Sequence, residues 1–265
     1  MRKLSAILLA ALVGMGVASP HASATPAQQR NVIILGDSMV ADPWAGEVVV
    51  NRLRGGGQCP RSADSYAEQA ARQAGLEARN FSCAGSQVNI GGPFLKTAFA
   101  DQVDAALPAM DPNTTHVWIT QGFNDTWSGF GPEAYLDGMS WYIARIRERA
   151  PQATITMIGY PSIASNGQLC LARVIPGVPG PIPAVQVADM ESQAQEMQRE
   201  LARRTGIGFV DVRSQTPGNG MCSPDDVRYV SALIDTTGPV THMPFHINER
   251  GHREMAHMVV DQLGL

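Results

Sequence analysis

The amino-acid sequence predicts an α/β fold, a doubly wound parallel sheet with helices on both faces. Two observations carry that expectation. Short apolar runs of strand length alternate with helix-length amphipathic segments from Asn31 to the C-terminus. Glycine and polar residues also follow several of those runs directly, and that edge of an open parallel sheet is where ligands bind.

The first run is Val32-Ile33-Ile34-Leu35. Four consecutive apolar residues read as a strand buried on both faces, ended by Gly36, and Asp37-Ser38 then open a turn or a helix. A Gly-rich turn, Gly55-Gly56-Gly57, precedes a helix expected from an N-cap at Ser62 to Ala74, with Gly75 as its stop. A short strand over Ala78 to Ser82 leads into Cys83-Ala84-Gly85-Ser86. Thr97 to Ala109 reads as a helix with Phe99, Val103, Ala106 and Leu107 on one face, broken by Pro112 and Asn113. The strand His116 to Thr120 then delivers Gln121-Gly122-Phe123-Asn124-Asp125.

Glu133 to Ala150 is the clearest amphipathic helix, with Tyr135, Met139, Tyr142, Ile143 and Ile146 spaced by three or four. A strand over Ala153 to Ile158, a helix over Met190 to Thr205 stopped by Gly206, and a strand over Ile207 to Val212 follow. Between them, Cys170 to Val185 is rich in Pro and Gly and reads as a surface loop. Its Leu171, Val174, Ile175, Val178 and Ile182 either line a cleft or pack on the domain. The last helix is expected over Glu249 to Gln262, a few residues after His246.

Arg2 and Lys3, an apolar run from Leu4 to Val17 and Ala22-Ser23-Ala24 have the form of a secretory signal peptide cut after Ala24. Residues 1–24 are therefore expected to be the leader and 25–265 a single domain, free of internal repeats, secreted and without a transmembrane segment. The formal net charge of −4 and the absence of a basic stripe give no sign of nucleic-acid binding. An even count of four cysteines in an exported chain favours disulfides, with three pairings open. No C-x-x-C or C-x-x-H spacing favours zinc, and no metal or cofactor is expected.

Ser38 at a strand end is a candidate nucleophile, against the plainer reading of a turn and helix cap. Gly36-Asp37-Ser38, Gly85, Gly122-Phe123-Asn124-Asp125 and His246 together resemble, in order, the four sequence blocks of the SGNH (GDSL-like) hydrolase superfamily. Cys59-Pro60-Arg61-Ser62 and the segment from Asn80 to Gly85 resemble its secreted, disulfide-containing actinobacterial esterase and lipase branch. The resemblance implies a three-layer α/β/α sandwich with a five-stranded, flavodoxin-like parallel sheet. It makes Ser38 the nucleophile, His246 the general base, and Ser38 N–H, Gly85 N–H and the Asn124 amide the oxyanion donors. With sequence proximity, it also favours the pairs Cys59–Cys83 and Cys170–Cys222.

A serine hydroxyl needs such a base to take its proton, and the tetrahedral oxyanion needs fixed donors. One position departs from the superfamily pattern: Met243 stands three residues before His246, where an acid is usual. The orienter of the imidazole is therefore expected to be the Met243 backbone carbonyl, with Asp235 as the alternative and impaired catalysis as the third possibility.

The expected activity is hydrolysis of small-molecule, lipid or acylated-carbohydrate esters. The alternative is a catalytically silent binding protein of the cell envelope on the same scaffold. Pro244 between His242 and His246 argues against a helical zinc pair, and His252 and His257 are expected on the surface. His116 opens a strand and Asp125 is expected to brace the Asn124 loop. Trp44, Trp118, Trp127 and Trp141 read as core, with Trp127 also near enough to Asn124 to touch substrate.

Overall fold

In the computed structural model, the described residues are 29–55, 59–89 and 98–265. The leader expected at 1–24, together with Gly56, Gly57 and Thr97, lies outside them. Five parallel strands form the central sheet: β1 (Asn31–Gly36), β2 (Glu77–Asn80), β3 (Thr114–Thr120), β4 (Thr154–Ile158) and β5 (Gly208–Val210). Their order is β2-β1-β3-β4-β5. The chain therefore leaves β1 to one side for β2 and returns to the other for β3, which opens a crevice at the carboxyl ends of these strands.

The helices are α1 (Ser38–Ala41), α2 (Ala45–Leu53), α3 (Tyr66–Gln73), α4 (Phe99–Ala106), α5 (Gly131–Arg149), α6 (Val185–Thr205) and α7 (Glu249–Leu263). Side chains on a strand alternate between faces, and β1 divides accordingly. Val32 and Ile34 join a core with Tyr66, Ala67 and Ala70 of α3 and Met255, Ala256 and Val259 of α7. Ile33 and Leu35 join a second core with Phe99 and Val103 of α4 and Tyr135, Met139 and Ile143 of α5. Complete burial of each of these β1 side chains contributes about 1.5–3 kcal/mol, which explains why an unbroken apolar run occupies the middle of the sheet.

Several boundaries differ from the sequence reading. Ser62 does not cap a helix; its Oγ accepts the Asp64 N–H at 2.9 Å within a turn, and α3 begins after Ser65. β2 stops at Asn80, whose Oδ1 accepts the Ser82 N–H at 3.0 Å and turns the chain out of the ladder. α6 starts at Val185, before the expected Met190. α2 was not expected at all. No residue of this helix is buried, and Trp44 before it and Val49, Val50 and Leu53 within it are exposed, so it lacks the inward apolar stripe that marks a helix in sequence.

The Pro/Gly segment is fastened to the domain at several points. Cys170 pairs with Cys222 and Cys59 with Cys83, each with Cα atoms 5.1 Å apart. Ala172–Arg173 pairs with Ile234–Asp235, and Ile182–Pro183 with Gln168–Leu169. Leu171 packs against the core, whereas Val174, Ile175, Val178 and Ile182 are exposed. Among the described residues no helix is long and apolar enough to cross a membrane.

Candidate active site

The turn that carries Ser38 is held from three sides. Gln102 of α4 bonds both backbone groups of Gly36, its Oε1 accepting the N–H at 2.8 Å and its Nε2 donating to the carbonyl at 2.9 Å. The Asp37 N–H donates to the Thr120 carbonyl of β3 at 3.0 Å. Asp37 Oδ1 accepts the Met39 N–H at 3.0 Å and so caps α1, whose first residue is Ser38. Gly36 has φ +147°, and a Cβ there would lie 2.2 Å from the Thr120 oxygen, so only glycine lets β1 and β3 approach this closely.

His246 reaches this turn from the loop before α7. Its Nε2 lies 2.7 Å from Ser38 Oγ, and its Nδ1 lies 2.7 Å from the Pro244 carbonyl. A carbonyl can only accept, so the ring proton sits on Nδ1 and the Nε2 lone pair faces the serine hydroxyl. Phe245, with φ +61°, reverses the chain between the two residues, a conformation that non-glycine residues rarely adopt. Burial lowers the His246 pKa below 6.5, against the Pro244 hydrogen bond and the charge of Asp42, which raise it.

Neither expected orienter, the Met243 carbonyl or Asp235, faces the imidazole. The Met243 carbonyl accepts from Thr241 Oγ1 at 2.8 Å and Ser231 Oγ at 3.2 Å, and the carbonyl at His246 Nδ1 belongs to Pro244. Asp235 is committed elsewhere: both its oxygens accept from the fully buried Arg228 guanidinium, one of them at 2.7 Å. Burial raises the Asp235 pKa, but the Arg228 and Ala232 N–H donors outweigh it and hold the value at about 2.

The remaining expected residues meet the same edge. Gly85 follows β2 with φ +80°, in a turn where the Cys83 N–H donates to the Gly36 carbonyl at 2.9 Å. Asn124 opens a 3-10 turn after β3, and its Nδ2 donates to the Ser86 carbonyl at 3.0 Å. An amide nitrogen has two hydrogens, so one is left to donate. Asp125 braces the loop: its carboxylate accepts the Val88 N–H at 2.8 Å and Gln121 Nε2 at 2.9 Å, and burial raises its pKa to about 6.

Two expectations about aromatic residues and histidines fail. His252 is buried, not on the surface; the Tyr66 N–H donates to its Nδ1 at 3.0 Å, and its Nε2 lies 3.1 Å from Asp42 Oδ2. The same Asp42 oxygen lies 2.8 Å from His242 Nδ1, so Asp42 links α1 to the loop that carries His246. Of the tryptophans only Trp118 is in the core, while Trp44, Trp127 and Trp141 are exposed. Trp44 stacks on His242 at 4.1 Å, and Trp127 meets Phe123 edge-on at 5.3 Å. Among the described residues no group of three or more His, Cys, Asp or Glu is arranged to hold a metal ion.

Gln102, Tyr160 and Asp42 are buried at this site, and neither their residue types nor their immediate neighbours in the sequence mark them for it.

The chain matches the GDSL-like lipase/acylhydrolase family over residues 34–254. It is 25% identical to Lipase 2 of Streptomyces coelicolor over 290 aligned positions, which cover 96% of this chain and 93% of that protein. The fold superposes on the crystal structure of phospholipase A1 from Streptomyces albidoflavus NA297 with a TM-score of 0.63 at 16% identity, covering 90% of this chain and 100% of that one. On a carbohydrate acetylesterase from Sinorhizobium meliloti the TM-score is 0.55 at 14% identity, covering 89% and 99% of the two chains. The family match and a five-stranded parallel sheet between helices identify an SGNH-type hydrolase. The chain belongs to the GDSL-like lipase/acylhydrolase family and is a carboxylic ester hydrolase.

Proposed function

We propose that Ser38 attacks the ester carbonyl and is acylated, that His246 takes its proton and returns it to the leaving alkoxide, and that water then releases the acyl group. One observation carries the reading: a single imidazole has Ser38 Oγ at one nitrogen and the Pro244 carbonyl at the other, each at 2.7 Å. The carbonyl fixes the tautomer that accepts from serine, as a carboxylate would, without adding a charge. A His246 pKa below 6.5 keeps that acceptor unprotonated at neutral pH.

The Ser38 N–H, the Gly85 N–H and the remaining Asn124 amide hydrogen are the proposed oxyanion donors. Asn124→Ala is expected to lower kcat on the order of 10²–10³-fold, with a smaller change in KM, because the donor acts on charge that develops only in the transition state. Steady-state kinetics on a soluble ester checks it.

Asp235→Asn separates orientation from stability. The substitution leaves Arg228 buried with half its counter-charge and is expected to cost about 3–5 kcal/mol of stability by denaturant titration. Turnover per folded molecule should change little. The carboxylate's contribution is complete above the unfolded value of about 3.9 and disappears as pH falls through about 2.

The chain is further proposed to be exported, with residues 1–24 removed and 25–265 forming the hydrolase domain. The two disulfides support an oxidising destination. Lipids, acylated carbohydrates and small esters share the bond to be cleaved. Hydrolysis of p-nitrophenyl esters across acyl lengths, with Ser38→Ala as control, tests the reading: turnover dependent on Ser38 supports it, and turnover retained in the variant would remove Ser38 as nucleophile.

A further inference from the structure

Tyr160 lies just beyond the end of β4, with its ring against Phe123 at 5.7 Å between centroids. It is buried, and its hydroxyl makes two hydrogen bonds that lead to opposite sides of the candidate site. The hydroxyl donates to Asp37 Oδ2 at 2.6 Å and accepts the Phe123 N–H at 3.0 Å. Asp37 immediately precedes Ser38, and Phe123 immediately precedes Asn124. One oxygen atom thus ties the turn after β1 to the turn after β3.

We propose that Tyr160 is a positioning residue for ester hydrolysis, its hydroxyl setting the Ser38 turn against the Asn124 turn by bridging the Asp37 carboxylate and the Phe123 N–H. The proposal rests on the roles given to Ser38 and Asn124 above. Nucleophile and oxyanion donor must hold one carbonyl between them, and a misplacement of about 1 Å at such a site costs on the order of 10²-fold in rate. Neither turn is stiffened by a long helix: α1 has four residues and the Asn124 turn is a 3-10 segment of four. The Tyr160 bridge links the two turns to each other, in addition to the bonds from Gln102 and Thr120 that hold the first and those of Asp125 that brace the second.

The bridge is strongest with Asp37 ionised. Its Oδ1 accepts the Met39 N–H and its Oδ2 the Tyr160 O–H, so protonation replaces a charge-assisted bond by a weaker neutral one and forces the tyrosine proton to turn away. Burial raises the Asp37 pKa to about 7, against the Tyr160 and Met39 hydrogen bonds that lower it. The other titratable groups near it are Asp125 after β3, Tyr66 of α3 and Tyr135 of α5. The bridge therefore slackens on the acid side of neutrality, above the pH at which His246 becomes protonated.

The test compares wild type, Tyr160→Phe, Asp37→Asn, the double variant and Ser38→Ala in kcat and KM for p-nitrophenyl acetate or butyrate from pH 5 to 9, after circular dichroism shows each folded. Tyr160→Phe keeps the ring and removes the bridge. Its kcat is expected to fall between about tenfold and a hundredfold, with KM changed less than about twofold. Loss of a bond to the charged carboxylate raises the Asp37 pKa further, so the upper acid-side step should move to higher pH. Asp37→Asn should abolish that step and leave only the limb below 6.5 that belongs to His246. The double variant should be no slower than the poorer single one, because both substitutions act on the same bridge, one by removing the hydroxyl and the other the charge it binds.

A purely structural tyrosine would lower stability and leave the pH profile in place. Tyr160→Phe with kcat within about twofold of wild type and an unmoved profile overturns the proposal while the Ser38 reading stands; losses in the two single variants that multiply also overturn it. Wild-type turnover equal to that of Ser38→Ala instead overturns the Ser38 reading and takes the positioning role with it. If Tyr160→Phe does not fold, the Asp37→Asn profile decides: an upper step that persists overturns the proposal.

Discussion

Ser38→Ala is expected to reduce kcat for a p-nitrophenyl ester by a factor on the order of 10⁴–10⁶, with little change in KM. Removing Oγ removes the atom that would form the acyl-enzyme, and among the described residues His246 Nε2 has no other hydrogen-bonded hydroxyl to take its place. Direct attack by water, helped by whatever oxyanion stabilisation remains, sets the residual rate. The fold should be unaffected. Gly36 and Asp37 hold this turn through backbone and carboxylate bonds that do not involve the Ser38 hydroxyl, so the thermal midpoint should stay within about 1–2 °C. Kinetics and a melting curve on the same preparation check both halves. A large drop in the midpoint would mean that lost activity reflects lost structure.

His246→Ala is expected to cost a similar factor in kcat, and the Ser38→Ala/His246→Ala double variant should fall no further than either alone, because the two groups act as one unit. The wild-type pH profile carries the same information. Burial holds the His246 pKa below 6.5, so the acid limb of kcat/KM that belongs to the imidazole should lie below that value and be absent from the residual activity of His246→Ala. Sign and cause agree: burial disfavours the imidazolium, so the neutral base persists to lower pH than in an exposed histidine. If the two single losses multiplied in the double variant, Ser38 and His246 would be acting in separate steps rather than as a pair.

The sheet was legible because β1 must be buried on both faces, and Val32 to Leu35 can satisfy that only as an apolar run. The residues brought to the edge were legible because the chemistry fixes their types. Ser38, Gly85, Asn124 and His246 stand out by their resemblance, in chain order, to the four blocks of the SGNH pattern, each at or near a strand end or loop.

What faces His246 Nδ1 was not legible. Every residue has a carbonyl, so the Pro244 oxygen has no signature in residue type, and its approach depends on the positive φ of Phe245. Asp235 looked available as an acid only because its partner Arg228 is brought to it by the fold. α2 escaped notice for a related reason: its exposed valines and Leu53 give no inward stripe to read. His252 reads as a surface residue on a polar-faced helix until Tyr66, 186 positions earlier, supplies its hydrogen bond.

The central claim, that Ser38 is the acylated atom and His246 its base, is tested most directly by mass spectrometry after treatment with a small fluorophosphonate at neutral pH. The account requires one adduct per chain, located in the peptide that contains Ser38, absent from Ser38→Ala and formed far more slowly in His246→Ala. An inactivating adduct on another serine, or full esterase activity in protein whose Ser38 carries the adduct, would contradict it.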